Sequence, residues 1–147
     1  MEILSKKGFA LIELMVVIVI LAIMLSVIYP DYSGYLLQRR LNGAALAVKL
    51  DLMLARGQAI NMNRNVSVIF PISPSGQYTY DATGDAKIKN IQTDYGVTLS
   101  ADNNPLFSSR GIASNAAGTN PVATVTLRNS TGSKTVTVNI AGQVTMK

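Results

Sequence analysis

Apolar residues fill positions 9–29 almost without a break, in the run FALIELMVVIVILAIMLSVIY. Glu13 is the one carboxylate within it. Lys6 and Lys7 precede it across Gly8, and Pro30 follows it. As a helix the run would be about 30 Å long, the thickness of a bilayer's hydrocarbon core. Each apolar residue near mid-helix favours insertion by about 0.3–0.6 kcal/mol, and a charge there opposes it by about 2.5–3.5 kcal/mol. Glu13 lies near the end of the run, so the apolar residues outweigh it. The pattern predicts a membrane-inserting helix.

The helical pattern continues past Pro30. Leu41, Ala45, Val48, Leu52, Ala55 and Ala59 follow alternating steps of four and three, the spacing of one buried stripe. Asn42, Lys49, Arg56 and Asn63 recur every seven residues and predict a separate polar face. Pro30 removes one backbone donor and predicts a bend. Gly34 and Gly43 are further weak points, so one long, interrupted helix is expected from about Phe9 to about Asn61.

After Asn65 the period changes to two. Strands are expected at 66–70, ended by Pro71 and Pro74-Ser75-Gly76, and at 77–81 and 95–99. Residues 101–121 read as loop, interrupted by Leu106-Phe107. In 123–128 Val125 and Leu127 point inward while Thr124, Thr126 and Arg128 point outward. A turn at 129–133 leads to 134–140, with Val136, Val138 and Ile140 on one face. Ala141-Gly142 turns into a last strand, 143–146. The expected fold is α+β: a long N-terminal helix covering the apolar face of an antiparallel β-sheet head.

Composition limits the chemistry. The length suits one domain beyond the apolar helix. The chain has no cysteine, which excludes a disulfide framework and thiolate-bound metal. Without histidine, Ser–His and Cys–His nucleophile pairs and histidine-based metal sites are excluded as well. Asp81, Asp85, Asp94 and Asp102 lie in turn-like segments and match no calcium loop. Gly76, Gly84, Gly96, Gly111 and Gly118 stand singly and form no phosphate loop. Neither catalysis, a cofactor nor a metal is expected. Net charge is +5 at pH 7, which suits anionic surfaces without defining a nucleic-acid site.

Three features carry two readings each. The apolar run could be a cleaved secretory signal, but SVIYPDYSGY offers no Ala-x-Ala site after it. Glu13 reads as a helix-start carboxylate favoured by the helix dipole, or as a functional charge inside the membrane. Tyr29, Tyr32 and Tyr35 suit a headgroup layer or one packing face of a helix. Positive charge does not orient the segment, because Lys6 and Lys7 on one side are balanced by Arg39 and Arg40 on the other.

The stretch KKGFALIELMVVIVILAIMLSVIYP resembles the amino-terminal signature of type IV pilins and of the pseudopilins of type II secretion. The resemblance implies a leader at 1–8, with Lys6, Lys7, Gly8 and Phe9 as the processing site. A prepilin peptidase would cut after Gly8, and Phe9 would be N-methylated. It also implies an assembly helix at 9–30, its amphipathic continuation at 31–64 and a β-rich periplasmic head at 65–147. The N-terminus would face the cytoplasm, with a single pass through the inner membrane and its lipid. Glu13 would pair with the Phe9 ammonium of the next protomer, and the partners would be other pilins or pseudopilins. In low dielectric such a pair matters because either charge alone is costly.

Leu106-Phe107-Ser108-Ser109-Arg110-Gly111, a Thr/Val-rich hairpin and Val138-Asn139-Ile140-Ala141-Gly142-Gln143-Val144 look like the closing region of the GspH/FimT family. That group covers H-type pseudopilins and FimT-type minor pilins. For Gly111 and Gly142 a turn with positive φ suffices. The resemblance implies a structural filament subunit serving secretion or pilus biogenesis. The alternative it implies is a DNA-binding minor pilin for uptake. Some FimT-type members use an arginine-bearing tail, whereas residues 142–147 here carry one lysine and no arginine. Weak anionic contact would then fall to Arg110, Arg128, Lys134 and Lys147, a thin set for phosphate binding.

Overall fold

A computed structural model describes residues 3–81 and 86–147, with side chains at 11–26, 32–80 and 86–147. Asp85 and the side chains of Lys6, Lys7, Phe9, Tyr29, Pro30 and Asp81 lie outside the described residues. The chain divides into two compact units, one ending at Leu36 and the other being Leu37–Lys147.

Helix α1 runs from Ile3 to Asn61. It is helical through Pro30, Gly34 and Gly43, without the interruption expected there. One proline removes a single i→i−4 bond, and the neighbouring bonds carry the helix across it. The stripe read from spacing is fully buried: Leu41, Ala45, Val48, Leu52, Ala55 and Ala59, with Ala44 beside them. The polar face is less uniform than expected. Asn42 is exposed, Lys49 and Arg56 are half-buried, and Asn63 lies past the helix end with φ +49°.

The strands form two sheets rather than the single meander expected. The first is five-stranded, in the order β3-β2-β1-β5-β6, from Ala86–Asn90, Gln77–Asp81, Val66–Ile69, Leu106–Phe107 and Ala113–Ser114. The second is four-stranded, in the order β4-β7-β8-β9, from Thr98–Ala101, Ala123–Asn129, Gly132–Val138 and Val144–Met146. Every pairing is antiparallel, including Val68↔Tyr80 in the first sheet and Val125↔Val136 in the second. The inward residues Val66, Val68, Tyr78 and Phe107 meet Leu99, Val125, Leu127, Val136, Val138 and the helical stripe in one core. Each buried aliphatic or aromatic side chain contributes about 1.5–3 kcal/mol.

Three local expectations change. Tyr95 ends a short helix, α2, Ile91–Tyr95, instead of starting a strand. Asn90 caps it by accepting from Thr93 N at 3.0 Å, and Gly96 closes it, so the strand begins at Thr98. The 101–121 segment holds a second short strand, β6, paired to β5. Strand β8 stops at Val138, and Ile140 is 48% exposed instead of joining its inward face. The turn explains this: Gly142 N bonds Asn139 O at 2.9 Å and Asn139 N bonds Gln143 O at 3.1 Å, which takes Ile140 out of the ladder.

Candidate functional site

The described part of the apolar run, residues 11–26, is helical and exposed on every side, Glu13 included. A helix apolar all round needs an apolar surrounding, either lipid or other helices. Among the described residues no helix is long and apolar enough to cross a membrane. Residues 11–26 extend about 24 Å as a helix, short of a bilayer core of about 30 Å. The sequence carries the apolar run beyond them on both sides, from 9 to 29. Tyr32 and Tyr35 are exposed.

Within the second unit α1 has two apolar fronts. One is the buried stripe. The other consists of Leu46, Leu50, Met53 and Leu54, which are 48–55% exposed. Their spacing of four, three and one keeps them together on the outer surface of the helix. An isolated head gains nothing from this second front, since its core is already closed by the first. A row of large aliphatic side chains left in water marks a contact surface.

Polar anchors hold the helix against the head, and the spacing rules missed them. Asp51 is only 6% exposed although charged. Its Oδ1 and Oδ2 accept from Lys89 Nζ at 2.6 and 2.7 Å, and the Tyr78 hydroxyl donates to Oδ2. Two turns further along, the Tyr80 hydroxyl donates to the Gln58 side chain. Burial, then the hydrogen bond and charge of Asp51, push the Tyr78 hydroxyl well above the ordinary tyrosine range. Tyr80 is raised too, first by burial and then by Asp51.

Arg56 Nε donates to Gly111 O at 2.9 Å, tying α1 to the turn before β6. Gly111 and Gly142 have φ of +75° and +72°, as expected of turn glycines. They also permit close approach: a Cβ on Gly142 would lie 2.2 Å from Gly111 O and 2.9 Å from Arg56 Nε. Asn129 anchors the other sheet, its Nδ2 donating to Leu37 O at 2.9 Å while its Oδ1 accepts from Thr131 N and Gly132 N.

The four cations expected to meet anions do not form one patch. Register places Arg128 and, through its pairing with Thr135, Lys147 on the outward face of the second sheet. Lys134 stands opposite the buried Leu127 and so belongs to the other face. Arg110 is exposed in the turn between β5 and β6. Among the acids, Asp102 is bound to Thr124 N at 2.6 Å and Asp94 is exposed in α2. Among the described residues no group of acids gathers to hold a metal ion.

A long N-terminal helix followed by antiparallel sheets is the pilin-like architecture. Residues 3–29 match the prokaryotic N-terminal methylation motif, and residues 44–142 match the type II transport protein GspH; the chain belongs to that family. Two crystal structures of the type IV minor pilin FimU of Pseudomonas aeruginosa strain PAO1 share the fold. One, in space group P65, has a TM-score of 0.52 at 15% identity over 73% of this chain and 92% of that chain. The other, in space group P21, has a TM-score of 0.54 at 16% identity over 75% and 90%. No curated protein matches the chain by sequence.

Proposed function

We propose that this chain is a minor pilin or pseudopilin, a structural subunit of a type II secretion pseudopilus or a type IV pilus. The observation that carries the reading is the second apolar front of α1, in line with a methylation motif at its start. A helix that has satisfied its own head and still presents Leu46, Leu50, Met53 and Leu54 is suited to packing against helices of other subunits. In this reading prepilin peptidase, guided by Lys6 and Lys7, cuts after Gly8, and Phe9 becomes the methylated N-terminus. The apolar run holds the subunit in inner-membrane lipid, N-terminus to the cytoplasm and head to the periplasm, until assembly. Glu13 receives the Phe9 ammonium of a neighbouring pilin, which neutralises both charges where water is excluded.

DNA capture has less support, because Arg110, Arg128 and Lys134 lie on different surfaces and phosphate binding needs several cations together. The test is intact mass and N-terminal sequencing of protein recovered from its host's membrane. A chain starting at N-methyl-Phe9 is expected, and replacing Gly8 with a bulky residue should leave the leader in place. A start well past Pro30 would make the helix a discarded signal and remove the filament reading.

A further inference from the structure

The outward face of the second sheet holds a concavity of about 210 Å³, lined by Pro74, Thr98, Leu99, Ser100, Thr126 and Arg128. It is smaller than the about 300–1,000 Å³ of drug-sized sites and has room for about one six-membered sugar ring. Its polar groups come from two direct cross-strand pairs, Thr98↔Arg128 and Ser100↔Thr126. Thr98 Oγ1 donates to Arg128 O at 3.3 Å. Among the described residues the hydroxyls of Ser100 and Thr126 have no hydrogen-bond partner, and the Arg128 guanidinium has neither a hydrogen bond nor an ion pair. Asp102, two residues beyond Ser100, is engaged with Thr124 N and does not neutralise Arg128.

The geometry points to a binding site for an acidic sugar unit of a polysaccharide. Serine and threonine hydroxyls both donate and accept, which matches sugar hydroxyls that do the same. A guanidinium free of acids binds a carboxylate through two parallel bonds. Pro74 provides apolar surface for the C–H face of a ring, while Leu99 lines the floor with its backbone, its side chain being buried in the core. The lining contains no aromatic ring on which a nucleobase could stack, so single-stranded nucleic acid lacks its usual platform. The hydroxyl surface continues past the concavity through Thr135, Thr124, Thr137 and Thr145, which favours a chain over a free sugar. Thr137 and Thr145 hydroxyls already bond one another at 2.6 Å on that surface. The site stands apart from the filament reading and does not depend on it.

The experiment is calorimetric titration of the full chain in detergent with oligogalacturonate, a neutral maltooligosaccharide and duplex DNA as probes. Oligogalacturonate should bind and the neutral oligosaccharide should not. Arg128→Ala should weaken binding about tenfold or more, and Thr126→Val about threefold, as expected for a charged and a neutral hydrogen bond. Arg128→Lys should fall between parent and Arg128→Ala, because an ammonium keeps the charge without the paired bonds. Unchanged circular dichroism in each variant shows that the head is folded. No heat with oligogalacturonate, equal affinity in Arg128→Ala, or equal binding of the neutral chain would overturn the assignment. So would tighter binding of duplex DNA that is lost with Arg128, which would make the face a phosphate site.

Discussion

Asp51 carries the deepest charge described in the head, and its environment decides which substitutions there are costly. Its partner Lys89 keeps 46% of its side chain exposed while the Asp51 side chain keeps 9%. Losing either side is therefore unequal. Lys89→Met strands a buried carboxylate with only the Tyr78 hydroxyl, and should cost about 1–3 kcal/mol in urea unfolding. Asp51→Asn leaves a lysine that can turn to water and should cost less; the opposite order would mean the pair is governed by Lys89. Tyr78 adds a pH dependence. Its ordinary value is 10.0 and burial raises it in the folded state. Above about pH 10 the unfolded chain loses a proton that the folded chain keeps, so stability falls as pH rises. Tyr78→Phe should flatten that fall, measured as the urea midpoint between neutral and alkaline pH. None of this was legible from spacing. Asp51 sits beside Leu52 at the edge of the stripe, and its partners come from 27 and 38 positions away in the chain.

At the scale of elements, α1 separates two requirements within one helix. The stripe from Leu41 to Ala59 was readable because a period of 3.6 is local and repeats over several turns. The second front escaped notice because Leu46, Leu50, Met53 and Leu54 are interleaved with the first, and only burial in the folded head tells inner from outer. Leu50→Asp should leave the head's circular dichroism and melting unchanged, since the side chain is 55% exposed. It should also prevent incorporation into filaments recovered by shearing. Normal incorporation would remove this surface from the assembly. Short elements were harder to read. Strand β3, Ala86–Asn90, is exposed at four successive positions and lacks an apolar face. Helix α2 is a single turn set by the Asn90 cap and the stop at Gly96.

For the whole molecule, the family, the fold and the methylation motif agree on a pilin-like chain with a long N-terminal helix and a two-sheet head. The proposed pairing of Glu13 with a neighbour's terminus belongs to this scale, because no contact within one chain can test it. Glu13→Val should leave membrane insertion intact, since it removes an unfavourable charge from an apolar helix. Filament incorporation should drop sharply, measured by the ratio of sheared to membrane-bound protein. Unchanged incorporation would show that the glutamate is only a helix-start carboxylate.

The long N-terminal helix, the buried stripe and the last hairpin follow from sequence alone, because each rests on a local period or on a continuous apolar run. Val125 and Leu127 facing inward against Val136 and Val138 needed only alternation and a turn between them. Sheet membership was settled by tertiary structure, since β4 pairs with β7 and β1 with β5 across long stretches of chain. The same long-range pairing buries Asp51, sets Arg56 against Gly111, splits Lys134 from Arg128 and builds the concavity beside Thr98. Spacing along a chain records which face a residue occupies; which face it meets depends on contacts that only the folded chain makes.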